Sequence, residues 1–237
     1  MKVRIIFNSE AVCEHLSTGW GFSCLVNNEI LFDTGEKGSY LFNNLAKMDI
    51  DIAKIKKVVI SHDHWDHTGG LWKLLEKRKG MEVYACPNFS EQFKQKVKKA
   101  QGVLIELKEI SAIAQDIFVT GEIPGTYNNK DMPEQALIIN TKNGMSIITG
   151  CAHPGILKIL RKVKAAFPPQ EVYAILGGFH LKNEDEIMIE GIVDVFQSMK
   201  VKKAGPTHCS GKKAEMIFRK EYGDNFITLK AGETVDF

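Results

Sequence analysis

The chain has little of several features that would direct its function elsewhere. Its 237 residues contain no apolar run near the roughly 20 residues of a membrane helix, so we expect no membrane span. The net charge is only +2, which predicts no strong field for nucleic acid or another polyanion. Met1–Arg4 leads directly into the strand-like Ile5–Phe7, so we expect no signal peptide and a cytoplasmic location.

Cysteine is also scarce, and its spacing excludes two common uses. The five cysteines form no Cys-x-x-Cys pair, and an odd number argues against a disulfide framework, so we expect reduced thiols. Cys151 and Cys209 differ from the others because each lies within two residues of a loop histidine, His153 and His208 respectively. The sequence places no base beside either thiol, so we do not predict a nucleophile.

The hydrophobic pattern predicts strands and helices that alternate along both halves of the chain. Asn27-Asn28 joins two strand-like segments, Trp20–Val26 and Glu29–Phe32, as a hairpin turn. Leucines at helical spacing predict a helix over Gly70–Arg78, and a last core strand is expected at Phe226–Thr228. A hairpin-rich part followed by βα units occurs twice, which favours an α+β fold of two similar halves.

The chain is rich in histidine at one place, the ten-residue segment Ser61–Gly70. Three histidines and two aspartates occupy six consecutive positions there, directly after the apolar Val58–Ile60. Because alternate strand residues face the same side, both His62 and His64 can reach one metal ion. Asp66 and His67 begin the next helix, where they can serve a second metal. Imidazole and carboxylate are ligands that borderline divalent metals prefer, so we predict a metal-dependent enzyme.

Three further histidines follow apolar strands and are flanked by glycine or proline. They are His153 in Thr149–Gly155, His180 in Gly177–His180 and His208 in Pro206–Gly211. We predict that His153 and His208 are metal ligands, and we leave His180 open between a ligand and a loop side chain. Asp33 ends another strand, and we expect its carboxylate to orient a ligand histidine.

These motifs, in this order, resemble the metallo-β-lactamase superfamily over nearly the whole chain. The resemblance implies a four-layer αββα sandwich with one or two metals, built as a single domain over residues 1–237. Thr-Gly-Cys-Ala-His-Pro-Gly, Gly-Gly-Phe-His and Pro-Thr-His-Cys-Ser-Gly resemble the branch of dihydropterin–ribofuranosylaminobenzene 5′-phosphate synthases and uncharacterised metal-dependent hydrolases. Trp20 stands where that branch has a histidine, and we predict that Trp20 and Lys212 contact the substrate.

The resemblance also implies which residues hold each metal. His62, His64 and His153 would hold the first metal, and Asp66, His67 and His208 the second. The superfamily usually bridges the two metals with an aspartate, whereas the matching loop here offers His180. A neutral imidazole has one free lone pair and cannot bridge as a carboxylate does. We therefore expect a more electropositive site that favours a phosphate-bearing substrate, with His180 as a ligand, a general acid or a phosphate contact.

The predicted activity is hydrolysis by metal-activated water, with Asp66 orienting that water and Asp66 and His180 as the catalytic residues. The alternative is a metal-dependent transferase of the synthase type. A nuclease or a di-iron oxidoreductase is less favoured, because the chain has no room for an RNA-binding domain and His64 stands where the di-iron proteins have glutamate. We expect zinc, with manganese or iron as alternatives, and a small anionic substrate rather than nucleic acid or a membrane. The oligomeric state stays open.

Overall fold

The computed structural model describes residues 1–168 and 170–237, which form two compact units. The first unit consists of Met1–Lys108 with Lys230–Phe237, and the second of Glu109–Leu229. Each unit has a large sheet and its own helices. The expectation that residues 1–237 form a single domain stays a prediction.

Strands and helices follow one another largely as the sequence predicts. In the described residues no helix has the length and apolar character to cross a membrane. The strands are β1 (Lys2–Phe7), β2 (Ser23–Val26), β3 (Ile30–Phe32), β4 (Lys57–Val59), β5 (Glu82–Ala85), β6 (Val103–Glu106), β7 (Ser111–Ala114), β8 (Ile117–Val119), β9 (Thr126–Tyr127), β10 (Lys130–Asp131), β11 (Leu137–Thr141), β12 (Gly144–Thr149), β13 (Val172–Gly178), β14 (Lys203–Thr207) and β15 (Thr234–Asp236). The α-helices are α1 (Gly38–Lys47), α2 (Trp65–Thr68), α3 (Leu71–Lys77), α4 (Glu91–Lys99), α5 (Ile156–Ala166), α6 (Glu186–Ser198) and α7 (Gly211–Tyr222).

The sheet of the first unit places two strand ends side by side. Its order is β15-β1-β2-β3-β4-β5-β6. The predicted β2–β3 hairpin is present, and Asn27 and Asn28 adopt the left-handed φ values of 50° and 61° that a type I′ turn requires. From β3 to β6 the strands run parallel, and α1, α3 and α4 bury Leu41, Leu74 and Val97 in the core of this unit. The carboxyl ends of β3 and β4, which carry Asp33 and the histidine run, are therefore neighbours.

The sheet of the second unit likewise places three strand ends together. Its order is β14-β13-β12-β11-β8-β7, and β12, β13 and β14 run parallel. Helices α5, α6 and α7 contribute to one apolar core, in which the rings of Phe179, Phe196 and Phe218 pack edge to face at 5.6–5.8 Å. Loops that leave adjacent parallel strands at their carboxyl ends meet at one sheet edge. His153, His180 and His208 leave these three strands in turn.

The predicted last core strand at Phe226–Thr228 is wrong. Phe226 makes an isolated parallel bridge to Ala204, and the Ile227 N–H donates to the Ala204 carbonyl. The next rung of a parallel ladder would need an N–H at Pro206, which proline lacks, so the ladder stops there. The final strand is instead β15, which pairs antiparallel with β1 in the first unit.

Candidate metal centre

The histidine–aspartate run leaves β4 and enters α2, as predicted. His62 and His67 are fully buried, whereas Trp65 between them exposes 60% of its surface. His62 Nε2 lies 3.1 Å from His64 Nδ1, and the ring centroids of His62 and His67 are 4.2 Å apart. The Asp66 carboxylate is buried beside them, with Oδ2 at 3.4 Å from His67 Nε2. The run therefore gathers nitrogen and oxygen donors within the first unit.

Asp33 makes the contact with a histidine that its predicted role requires. Its Oδ2 lies 2.7 Å from His67 Nδ1 and also accepts from the Ser61 hydroxyl at 2.7 Å, while Oδ1 accepts from the Ser61 N–H at 2.7 Å. Burial raises the pKa of Asp33, although His67 and Ser61 oppose that shift. Burial alone would lower the pKa of His67, but the Asp33 and Asp66 carboxylates hold it well above its ordinary value. Proton donation from Nδ1 to Asp33 leaves Nε2 of His67 to face Asp66.

Two glycines let the run lie tightly against the loop after β3. A Cβ atom on Gly69 would overlap the carbonyl oxygen of Glu36, and one on Gly70 would overlap that of Thr34. The Thr34 hydroxyl and N–H both donate to the His67 carbonyl, at 2.7 and 2.9 Å. The two glycines thus let the histidine–aspartate run approach the backbone of the loop after β3. The Thr34 hydrogen bonds formed there hold the His67 carbonyl in place.

Gly69→Ala is expected to lower the free energy of unfolding by about 2–3 kcal/mol, because the backbone of the Glu36 loop cannot move without shifting His67. Gly191→Ala is the matched control: Gly191 lies in α6, and a Cβ there meets nothing within 4 Å. That substitution should raise stability by about 0.5–1 kcal/mol. Urea unfolding of both variants measures the difference, and equal midpoints would contradict the prediction.

Glu134 is a buried carboxylate beside His153 that the sequence does not single out. It is fully buried, and its two oxygens accept from the backbone N–H groups of Cys151, Ala152 and His153 at 2.8–2.9 Å. Its Oε2 also lies 3.0 Å from His153 Nδ1. Burial would raise the pKa of Glu134, but His153 and the backbone donors lower it below 4.5. Glu134 therefore supports His153 as Asp33 supports His67.

His180 packs against His153 at the end of β13. Their ring centroids are 4.6 Å apart, and the Tyr127 ring lies 5.3 and 5.7 Å from His153 and His180 respectively. The Nδ1 atom of His180 is buried without a hydrogen-bond partner. A hydrogen bond with the Cys209 thiol raises the pKa of His180, although its partial burial opposes that shift. An imidazole nitrogen buried without a partner is one that a metal, a proton or a substrate would satisfy.

Two buried thiols join this histidine cluster. Cys209 Sγ donates to the Cys151 carbonyl at 3.5 Å, and Gly178 leaves room for it, since a Cβ there would lie 2.6 Å from Cys209 Sγ. Burial would raise the pKa of Cys209, but the Cys151 thiol, His180 and the nearby His208 lower it well below its ordinary value. The sequence-based expectation of no base beside these thiols is wrong for Cys209, because His180 reaches it across the fold.

Left-handed backbone marks the strand ends in both units. Asp33, Ala152, His180 and His208 have φ values of 54°, 63°, 57° and 51°. Non-glycine residues adopt this conformation at some energetic cost, and such strain gathers at functional sites where the surrounding contacts enforce it. Each of the four follows a strand at its carboxyl end, so the strain lies in the loops that carry the predicted ligands.

Comparison with known proteins identifies the family. Residues 26–121 match the profile of the metallo-β-lactamase superfamily. The chain is 31% identical to the uncharacterised protein MJ0448 of Methanocaldococcus jannaschii, over 91% of this chain and 92% of that protein. The chain belongs to the metallo-β-lactamase superfamily.

Two further relatives of this superfamily member carry descriptions of activity. The chain is 28% identical to the 7,8-dihydropterin-6-methyl-4-(β-D-ribofuranosyl)-aminobenzene-5′-phosphate synthase of M. jannaschii, over 90% of this chain and 85% of that protein. The crystal structure of Tm1679, described as a metal-dependent hydrolase of the β-lactamase superfamily, matches with a TM-score of 0.84 and 27% identity. That match covers 100% of this chain and 99% of Tm1679. The predicted superfamily, its branch and the metallo-β-lactamase fold, with mixed helix and strand content, are confirmed.

Members of the metallo-β-lactamase superfamily usually bind divalent metals, and the donors of this member fit one. The second unit has two groups of three donor residues that share Cys151, and within each group the ligand atoms lie within 4.8 Å of one another. Imidazole nitrogens backed by the buried carboxylates Asp33 and Glu134 are the arrangement that orients ligands in metal sites. The two groups in the second unit are Cys151, His153 and His180, and Cys151, His208 and Cys209.

The predicted residues of this superfamily member fall into two local clusters and a periphery. The first unit gathers Asp33, His62, His64, Asp66 and His67, and the second gathers His153, His180 and His208. Their roles as ligands or catalysts stay predictions, as do the substrate contacts of Trp20 and Lys212. Trp20 exposes 38% of its surface in the first unit, and Lys212 is an exposed residue of α7 in the second.

Proposed function

We propose that this protein is a metal-dependent enzyme that joins two small molecules in a synthase-type transfer. The observation that carries the proposal is its 28% identity to the M. jannaschii synthase, which extends over 90% of this chain. The name of that relative's product contains a dihydropterin, a methyl link, an aminobenzene and a ribofuranosyl 5′-phosphate. We therefore expect substrates that carry an aromatic ring system and a phosphate group.

The proposed ligands follow the superfamily pattern residue by residue. His62, His64 and His153 would hold one metal, and Asp66, His67 and His208 a second; His180 is a further candidate. A bound divalent metal supplies Lewis-acid polarisation of the bond that breaks. Zinc is the metal we expect, with manganese and iron as alternatives.

The chain's own residues prepare the donors for this chemistry. Asp33 and Glu134 hold Nδ1 of His67 and His153 through contacts of 2.7 and 3.0 Å, so each carboxylate fixes the ring orientation of its histidine. Asp66 would orient the attacking group. His180 has a buried Nδ1 without a partner and would donate a proton to the leaving group or contact its phosphate.

A cavity in the second unit offers room for the ring of a substrate. It has a volume of about 340 Å³ and is lined by His153 and His180 together with apolar side chains, among them Leu157, Phe179 and Met188. Small-molecule sites combine such apolar walls with a few convergent polar groups. This cavity supports a substrate of small-molecule size whose apolar part lies beside the histidines.

Hydrolysis is the second candidate function. Tm1679, at 27% identity and a TM-score of 0.84, is described as a metal-dependent hydrolase. The same residues would serve both reactions, because the two differ in whether water or a second substrate attacks. The identity of the product therefore distinguishes transfer from hydrolysis.

The test begins with elemental analysis of the purified protein and continues with two parallel assays. One supplies a dihydropterin methyl diphosphate together with ribofuranosylaminobenzene phosphate, and the other supplies phosphomonoesters, phosphodiesters and lactones. We expect about one or two metal ions per chain and a coupled product that forms with release of diphosphate. A chelator should remove the metal and abolish the formation of the product. Hydrolysis without coupling would overturn the transfer and favour the second candidate, and a metal-free active enzyme would overturn both.

A matched pair of histidine variants assigns the activity to the proposed centre. His64→Ala is expected to reduce turnover at least about 100-fold, since a proposed ligand is removed. His15→Ala is the control, because His15 is an exposed loop residue of the same unit. The turnover number of both variants, measured at saturating metal, is the readout. Equal turnover in the two variants would contradict the assignment.

A further inference from the structure

We infer that Cys151 and Cys209 supply thiolate ligands to a metal held in the second unit, so that this centre takes a thiophilic metal such as zinc or cobalt(II) in preference to manganese or magnesium. The inference rests on the proposed function in one respect, that the protein binds metal. It adds the ligand set in the second unit and the class of metal.

The donor atoms of the proposed ligands lie close together in the second unit. The ligand atoms of Cys151, His208 and Cys209 lie within 4.8 Å of one another, and all three residues are buried. A second group, Cys151, His153 and His180, meets the same limit. Mixed thiolate and imidazole donors are the ligand types that zinc and other borderline metals select. Cys151 belongs to both groups, so its sulfur lies within 4.8 Å of the donor atoms of both pairs of partners.

The backbone around these thiols is built to bring them together. Gly178 at the end of β13 leaves the space that the Cys209 sulfur occupies, because a Cβ there would lie 2.6 Å from that atom. His208 has a φ of 51° and begins a single 3-10 turn, which directs His208 and Cys209 to the interior in succession. Ala152, next to Cys151, has a φ of 63°. Strain on both sides of the cluster is expected where a ligand enforces it.

The positive charge of a buried metal ion also favours a thiolate ligand. A divalent ion in a buried site is costly unless anionic groups offset its charge. The β13 loop supplies His180, an imidazole donor that carries no negative charge. Glu134 is a buried carboxylate of this cluster, but its oxygens already accept three backbone N–H groups and lie against His153 Nδ1. A thiolate from Cys151 or Cys209 provides the missing negative charge.

Manganese and magnesium prefer oxygen donors, whereas thiolate selects softer ions. The ligand set therefore predicts an order of affinity that can be measured apart from any catalysis. If the two thiols only packed in the core, adding metal would produce no absorption change that involves sulfur. A bound thiolate instead gives a charge-transfer absorption band with cobalt(II).

The experiment is a cobalt(II) titration of the full-length, metal-free protein under anaerobic reducing conditions, followed by absorption spectroscopy and elemental analysis. We expect a thiolate-to-cobalt band in the near ultraviolet that saturates with the bound metal, and no comparable uptake of manganese. Cobalt uptake without the band would overturn the inference and leave the metal-dependent function intact. No uptake of cobalt at all would overturn both.

Variants assign the band to the two cysteines. Cys151→Ser and Cys209→Ser should each weaken the band, and the double variant should lose it with an increase of at least about 10-fold in the cobalt dissociation constant. Cys86→Ala and Cys13→Ser are the controls, a buried and an exposed cysteine of the first unit. An unchanged band in the double variant would contradict the inference. The spectrum of the unmodified protein decides the question even where a variant fails to fold.

Discussion

Glu134→Ala is expected to lower the free energy of unfolding of the metal-free protein by about 3–5 kcal/mol. The substitution leaves the buried N–H groups of Cys151, Ala152 and His153 without an acceptor, and each unsatisfied group costs about 1–3 kcal/mol before relaxation. The loop after β12 should loosen, and His153 should lose the contact that fixes its ring. Urea unfolding at neutral pH measures the change.

The stability that Glu134 contributes should change with pH in a defined direction. The folded-state pKa of Glu134 lies below its ordinary value of 4.5, so its contribution to stability is complete above that pH. The contribution is lost as the pH falls through the folded-state pKa. The difference in stability between the natural chain and Glu134→Ala should therefore shrink as the pH falls below about 4.5. A difference that grows on acidification would contradict the assignment.

Two control variants test whether the effect depends on the carboxylate group of Glu134 and on its buried position. Glu134→Gln keeps the volume and one acceptor oxygen, so its loss should be intermediate. Glu190→Ala removes an exposed glutamate of α6 and should change stability by less than about 0.5 kcal/mol. If Glu134→Ala behaved as Glu190→Ala does, the four contacts of Glu134 would have no structural role.

The parts of the site that could be predicted are those that sequence neighbours determine. The histidine–aspartate run, the strand before it and the helix after it are local. The expected strand alternation does not apply, because β4 ends at Val59 and both His62 and His64 lie in the loop that follows. The helix predicted over Gly70–Arg78 is α3 (Leu71–Lys77), because three leucines at helical spacing face the core. The sequence predicts that Asp33 orients a histidine, and the fold decides that this histidine is His67.

Glu134 could not be predicted, because its partners lie 17 to 19 residues further along the chain. Nothing in Pro133–Gln135 distinguishes a buried glutamate from a solvated one. The hydrogen bond between His180 and Cys209 is likewise a product of adjacent parallel strands rather than of sequence spacing. Long-range contacts of this kind decide which polar residues support a site.

One missed element did carry a signal. Asn128 and Asn129 have φ values of 49° and 59° and join β9 to β10, as Asn27 and Asn28 join β2 to β3. The second hairpin escaped prediction because its two-residue strands offer no apolar alternation. It matters because it presents Tyr127, whose ring packs against His153 and His180.

Asp33→Asn is expected to weaken metal binding by about 10- to 100-fold, without removing any proposed ligand. Three donors face the Asp33 carboxylate: the N–H and hydroxyl of Ser61, and Nδ1 of His67. A carboxamide has only one acceptor oxygen, so its NH₂ group must face one of these donors. If it faces His67, the ring takes the opposite tautomer, and the Nε2 lone pair that a metal needs carries a proton instead.

Competition with a chromophoric chelator measures the affinity, and nitrogen NMR of the histidine rings reports the tautomer and pKa of His67. In the metal-free natural chain His67 should stay protonated well above its ordinary pKa of 6.5, and Asp33→Asn should lower that pKa because a carboxylate is lost. Asp63→Asn is the matched control: Asp63 belongs to the same run, but its Oδ2 accepts from the Ser90 N–H at 2.8 Å. That variant should change the affinity by less than about 3-fold. Equal losses in the two variants would assign the effect to net charge, and the tautomer argument for Asp33 would then be wrong.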